Sequence, residues 1–249
     1  MSEEPQNNLN RAILQTLESL HAAGVQQLAK PPAAPPPPAS SLQQAGTPAP
    51  ASLLPSTPAP LSALTLNDLQ TEVAACTLCE ELATTRTQTV FGVGNPQAKL
   101  CFLGEAPGAD EDRLGEPFVG RGGQLLDKIL AACNLDRQDV YLLNILRCRP
   151  PNNRNPTEQE SQNCRQFLER QLQLIAPEFI CCLGAVAAQN LLSTTVTIGR
   201  LRGKLHDYRG IKVVCTYHPA YLLRNPSAKK ETWDDMQMLM REMGTPVGE

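Results

Sequence analysis

No run of about 18 apolar residues occurs anywhere in this 249-residue sequence, so no segment is able to cross a bilayer as a helix. The opening Met1, Ser2, Glu3, Glu4, Pro5 is acidic where a secretory leader is basic and then apolar, and the chain is read as cytosolic, with no membrane partner. An excess of positive charge is lacking too. The formal net charge is −3, which excludes the broad basic surface of a general nucleic-acid binder and requires any such contact to be local. Charge vanishes altogether between Pro31 and Asn67, and residues 31–60 hold 11 of the 22 prolines, mixed with Ala and Ser. Such a stretch buries too little apolar surface to fold, so residues 31–67 are expected to be a disordered linker. Nine cysteines form an odd set in a chain without an export signal, which argues against a full disulfide framework and directs attention to metal binding.

Before the linker, Leu9, Ile13, Leu17, Leu20 and Leu28 recur at roughly helical intervals, so residues 1–30 are read as an amphipathic helix. Two readings of it stay open, a docking helix for a protein partner and a terminal helix without a role. From residue 68 to 249 short apolar runs alternate with helix-like stretches, the pattern of an α/β domain with a largely parallel sheet. The runs predict strands over Ala98 to Gly104, Val140 to Ile145, Phe179 to Leu183 and Ile211 to Thr216. Helices are expected near Gly122 to Ala132, Thr157 to Leu174, Ala185 to Leu192 and Lys229 to Met243, with Thr157 and Glu160 placed as a capping box. In such sheets ligands bind beyond the carboxyl ends of the strands, so function should sit in the loops after 104, 145, 183 and 216.

Those loops carry chemistry. Gly104, Glu105, Ala106, Pro107 and Gly108 end the first strand, followed by Asp110, Glu111 and Asp112 and then by Pro117, Phe118, Val119 and Gly120. The glycines allow tight turns and close approach to a ligand, and the carboxylates are candidate acid/base groups. Asn144 ends the second strand and offers a carbonyl acceptor and an amide donor, suited to reading the edge of a base, while Arg147 and Arg149 beyond it suit phosphate. His218 lies at the mouth of the fourth strand before Pro219, where extended geometry can aim its ring at a ligand. Residues 199–212 hold five basic side chains against one acid, either the missing positive patch or a solvated hairpin.

Cys76 and Cys79 make a C-x2-C pair, and Cys148 and Cys164 bracket the loop after the second strand. Four thiolates from two irregular regions can enclose one centre, and spacing does not separate an iron-sulfur cubane from tetrahedral zinc. Cys101, Cys133, Cys181, Cys182 and Cys215 lie in apolar runs, where a thiol behaves as a small core hydrophobe.

Taken together, these segments resemble the family 4 uracil-DNA glycosylases over about residues 68–243, in the right order. The resemblance rests on Gly104 to Gly108, Pro117 to Gly120, Asn144 with the following Arg-Cys-Arg-Pro-Pro, the four separated cysteines, and His218 to Tyr221. It implies a central four-stranded parallel sheet flanked by helices, action on uracil-containing DNA, and a [4Fe-4S] cluster on Cys76, Cys79, Cys148 and Cys164; the chain is expected to be a monomer. Phe118 would stack on the flipped base, Asn144 would bond its pairing edge, the backbone of Gly104 to Ala106 would line the pocket, and His218 would donate to the uracil O2. From their positions, Arg147, Arg149, Arg202 and Arg224 are expected DNA contacts, with Leu222, Leu223 and Arg224 as wedge and clamp. The motif departs from family 1 glycosylases, which carry an aspartate where Ala106 stands here, so activation of water falls to another group or to none, with Glu111, preferred, and Glu105 as the candidates. The Glu111 carboxylate would alternatively sit against the base C5 and exclude thymine. Two competing readings are a non-catalytic nucleic-acid module with a four-cysteine zinc site and a glycosylase that holds uracil covalently through His206.

Overall fold

The computed structural model describes residues 64–245 and Val247. The expected helix over 1–30 and nearly all of the linker lie outside them. The folded unit opens at Thr65, whose hydroxyl accepts from the Asp68 N–H while the Asp68 carboxylate accepts from the Thr65 N–H, a capping box that starts α1 (Leu66–Ala74).

The elements that follow are α2 (Glu80–Thr85), β1 (Val93–Gly94), β2 (Leu100–Gly104), α3 (Ala109–Leu114), α4 (Arg121–Ala132), β3 (Tyr141–Asn144) and α5 (Glu158–Ile175). The chain continues through β4 (Phe179–Leu183), α6 (Ala185–Leu192), α7 (Ile198–Leu201), β5 (Leu205–Tyr208), β6 (Ile211–Thr216), α8 (Pro219–Arg224) and α9 (Lys229–Glu242). The capping box expected at Thr157 and Glu160 is formed and sets the start of α5.

The strands form one six-stranded sheet in the order β1-β3-β2-β4-β6-β5. Its four central strands are parallel, and two short antiparallel strands complete the edges. The sheet is therefore two strands wider than the four expected, because β1 is too short to show a period and β5 is a polar edge strand. Part of the basic segment at 199–212 is thus a hairpin, with β5 turning through Arg209 and Gly210, both at positive φ, into β6.

β2, β3 and β4 are buried at every position, as parallel strands covered on both faces must be. Alternation assigns the two faces. Cys101, Leu103 and Leu143 point toward Leu168 and Leu172 of α5 and Ala187, Ala188 and Leu191 of α6. Leu100, Phe102 and Leu142 point the other way, toward Leu126 and Leu130 of α4 and Met236, Leu239 and Met240 of α9. Cys101, Cys133, Cys181, Cys182 and Cys215 lie inside these layers at 0–1% exposure. Burial pushes the Cys101 thiol up to about 12 and the Cys133 thiol to about 11.

Candidate active site

Register brings the site together. Gly104 pairs directly with Asn144 across β2 and β3, and Leu183 pairs with Thr216 across β4 and β6, so the carboxyl ends of the four central strands are level. The loops leaving them frame a cleft of about 570 Å³ lined by Glu105, Phe118, Asn144, His218, Tyr221 and Arg224 among others. Phe118, Asn144 and His218, read from three separate segments, share this one cavity. A second groove of about 620 Å³ between α5 and α6 contains none of the expected site residues.

The Phe118 ring is held in place by backbone geometry. Its φ is 56°, in the left-handed region that a bulky side chain adopts only when its surroundings enforce it. The enforcement is visible on both sides of the turn. The Glu111 carboxylate accepts from the N–H groups of Gly108, Val119 and Gly120 at 3.0–3.1 Å, and Arg137 donates to the carbonyls of Pro117 and Phe118. Gly123 makes room for the turn, since a Cβ there would lie 1.7 Å from the Phe118 carbonyl oxygen. The ring comes to rest over Gly104, where a Cβ would meet the Phe118 Cζ at 2.5 Å and the Asn144 Oδ1 at 2.3 Å. Glycine at 104 is thus a requirement of close approach.

His218 caps α8 with its own ring: Nδ1 accepts from the Ala220 N–H at 3.1 Å. An Nδ1 that accepts leaves the proton of the neutral imidazole on Nε2, so the ring presents a donor to the cleft. Desolvation, aided by the charge of Arg224 and opposed by Glu111, lowers the imidazole to about 4 and keeps it neutral. Its ring centroid stands 6.1 Å from that of Phe118. Behind it, the Thr216 hydroxyl donates to Asp235 of α9, which ties the end of β6 to the helix layer.

The two carboxylates differ. The Glu111 acceptors are engaged by three backbone N–H groups, which makes it a brace for the Phe118 turn. The Glu105 carboxyl lines the cleft, forms no side-chain hydrogen bond among the described residues, and is raised by desolvation. Arg121 and Arg224 are exposed at the rim.

Several expected contacts are displaced. Arg147 cannot reach DNA, because it is buried at 1% exposure, with Nη1 donating to the Asn144 carbonyl and Nη2 to Gln171 Oε1. Leu222 is not a wedge, because α8 turns it into the core beside Leu125, Ile129, Trp233 and Met236, while Tyr221 and Leu223 on the same helix are exposed. The Arg202 guanidinium is committed to Asp235 and lies 5.5 Å above the Tyr217 ring. Arg149 donates to Asn153 Oδ1 at 2.7 Å. His206 sits on the edge strand with Nε2 at 2.7 Å from the Leu201 carbonyl and does not line the cleft. Arg137, Arg86 and Gln171 carry no mark in the sequence, since a lone Arg or Gln in a helix or loop has no local signature. Asn163 had one, its position beside Cys164.

The other four cysteines gather around the loop that follows β3. Cys76 and Cys79 leave the turn between α1 and α2, Cys148 lies in the loop after β3, and Cys164 projects from α5. All four line one small cavity together with Arg86, Arg147 and Asn163. Arg86 donates to Cys148 Sγ at 3.0 Å and to the Cys76 carbonyl at 2.7 Å, and Asn163 Nδ2 lies 3.4 Å from Cys79 Sγ. As free thiols, Cys148 and Cys164 are pushed up by burial, the latter to about 11, and stay neutral. As thiolates on a metal centre they would supply the negative charge that the two guanidinium groups need, so the donor set fits such a group. Among the described residues no three His, Cys, Asp or Glu side chains are arranged to hold a single metal ion.

Residues 91–237 match the family model for the uracil DNA glycosylase superfamily. The chain is 45% identical over 182 residues to the type-4 uracil-DNA glycosylase of Archaeoglobus fulgidus, covering 70% of this chain and 91% of the relative. It is 45% identical over 157 residues to the type-4 uracil-DNA glycosylase of Thermotoga maritima, covering 62% and 81%. The type-5 uracil-DNA glycosylase of Pyrobaculum aerophilum is 28% identical over 172 residues, covering 62% and 75%. With high identity and nearly full-length coverage on the type-4 side, the chain belongs to the type-4 uracil-DNA glycosylases.

Proposed function

We propose that the cleft takes a uracil extruded from DNA and hydrolyses its N-glycosidic bond, as the first step of repair of deaminated cytosine. The observation that carries this reading is the convergence of an aromatic ring, an amide and an imidazole from three separate segments on one cavity at the open end of the parallel sheet. Phe118 offers a face for the base to stack on, and Asn144 offers its amide to the pairing edge. When the C1′–N1 bond breaks, the electron pair goes to the uracil, and negative charge grows on N1 and O2. The neutral His218, with its proton on Nε2, donates a hydrogen bond to that charge as it grows, which is stabilisation directed at the transition state. The sugar gains oxocarbenium character and takes up water. Glu105, a desolvated carboxyl in the cleft with no side-chain hydrogen bond among the described residues, orients that water and takes its proton. Glu111 acts on the Phe118 turn instead, a reversal of the order of preference that the sequence suggested.

Extrusion costs a few kcal/mol of stacking and pairing. Arg121 and Arg224 at the rim suit the flanking phosphates, and the exposed Tyr221 and Leu223 are the side chains of α8 able to fill the vacated stack. Cys76, Cys79, Cys148 and Cys164 would hold a [4Fe-4S] cluster. When bound, it would supply a crosslink between the α1–α2 turn, the loop after Asn144 and α5. A four-cysteine zinc module is not favoured by the relatives.

The reading is tested by single-turnover release of uracil from an oligonucleotide, comparing the wild-type chain with Asn144→Ala, His218→Ala and Glu105→Gln, with DNA affinity measured in parallel. Each substitution is expected to slow release by about 10²-fold or more while changing DNA affinity by less than tenfold. Equal losses in rate and affinity would show a DNA-binding surface rather than a catalytic one.

A further inference from the structure

Arg147 is a buried cation without a visible anion. Its exposure is 1%, its two terminal nitrogens donate to a backbone carbonyl and a side-chain amide oxygen, and its Nε has no partner among the described residues. Among the described residues it forms no ion pair with a carboxylate. Carbonyl dipoles alone do not balance a charge taken this far from water, and buried guanidinium groups are otherwise found against anions. Yet its orientation is well determined. Gln171, fully buried, donates to the Tyr141 hydroxyl at 3.0 Å and to the Phe91 carbonyl at 3.2 Å, which fixes its amide so that Oε1 faces Arg147.

The anion is at hand on the other side. Arg147 lines the cavity shared by Cys76, Cys79, Cys148 and Cys164. Toward the sheet, it holds the carbonyl of Asn144, the residue whose side chain faces the cleft. The guanidinium thus stands between the four cysteines and the last residue of β3. We propose that Arg147 is the internal counter-ion of the cysteine-bound cluster and, through the Asn144 carbonyl, a positioning residue for base recognition. This rests on the cluster and on the role given to Asn144 above. In this arrangement a lost or damaged cluster leaves an unbalanced charge beneath the uracil pocket and loosens the end of β3. Repair activity is thereby coupled to cluster integrity although no cysteine lines the cleft.

The test uses the full chain, purified with its iron, as wild type, Arg147→Met and Arg147→Lys. The readouts are iron per chain, visible absorption, cluster midpoint potential, and single-turnover rate against KM. Arg147→Met keeps the volume and removes the charge. It should lower iron per chain severalfold, or retain the iron with a more negative potential. Its maximal rate should fall at least tenfold while KM changes less than threefold. Arg147→Lys keeps the charge but not the two-pronged grip, so iron content and potential should stay near wild type while the rate still falls. Arg147→Met with wild-type iron, potential and rate overturns the proposal, and so does Arg147→Lys with an unchanged rate should the Met variant not be recovered folded. A wild-type chain that binds no iron refutes the cluster reading and the counter-ion role with it, which separates the two failures.

Discussion

Adding one methyl group at Gly104 should disable this enzyme while leaving it folded. A Cβ at that position would stand 2.3 Å from the Asn144 Oδ1 and 2.5 Å from the Phe118 Cζ. Ordinary van der Waals contact is about 3.4 Å, so roughly 1 Å must open between the methyl and each of the two groups proposed to hold the base. Neither group yields freely. Asn144 is 3% exposed at the end of a parallel strand, and the Phe118 turn is held by Glu111 on one side and Arg137 on the other. Displacements of about 1 Å in a binding constellation cost about 10²-fold in rate, or about 2.7 kcal/mol of transition-state stabilisation. The backbone at Gly104 does not require glycine, so the whole effect is steric, with about 1–3 kcal/mol of overpacking as its cost to stability. The assay is single-turnover uracil release with a thermal melt of the same preparation. Gly199→Ala is the control, because a Cβ there meets nothing within 4 Å and should change neither quantity. A Gly104→Ala enzyme working within threefold of wild type would refute the shared pocket of Gly104, Phe118 and Asn144.

The pH profile of uracil release should lack a limb near the ordinary histidine value. With His218 lowered to about 4, its neutral ring and the Nδ1 acceptor for the Ala220 N–H persist through pH 5, whereas a histidine titrating at 6.5 would be about nine-tenths protonated at pH 5.5. Protonation would also place an Nδ1–H against the Ala220 N–H that it now accepts. For stability the sign is the same: the unfolded chain takes up this proton first, so the contribution of His218 is complete above pH 6.5 and is eroded as pH falls toward 4. Thermal melts from pH 7 to 4 should show this slope reduced in His218→Asn, and Arg224→Ala should move the acid limb of activity upward by removing a nearby positive charge. On α8, Leu222→Ala should cost about 2–5 kcal/mol of stability through loss of core packing against Trp233 and Met236. Leu223→Ala should leave the melt near wild type and weaken action on duplex more than on single-stranded DNA. The opposite assignment of the two effects would show that this helix docks differently.

Much of this molecule is written locally in the chain. The four central strands are short runs of apolar, often β-branched or aromatic residues between turn residues, and α5 announces its start through Thr157 and Glu160. Period and capping depend on near neighbours, so they are legible without coordinates. Gly104, Phe118, Asn144 and His218 were legible as well, since strand ends in an α/β sheet are where ligands bind, and the four separated cysteines stood out against the five in apolar runs. What tertiary structure alone decided were properties set by residues distant in sequence. Arg147 looked like a phosphate ligand beside Arg149 until the packing of α5 against β3 enclosed it between Gln171 and Asn144. Leu222 and Leu223 are adjacent and chemically alike, and only the docking of α8 against α4 and α9 sends one inward and one outward. Glu111 became a brace because the turn at Phe118 folds back onto it, and the proton of His218 was assigned to Nε2 by the N–H of Ala220. Composition and period name which residues can do chemistry; burial and partners, which depend on the whole chain, decide which of them do.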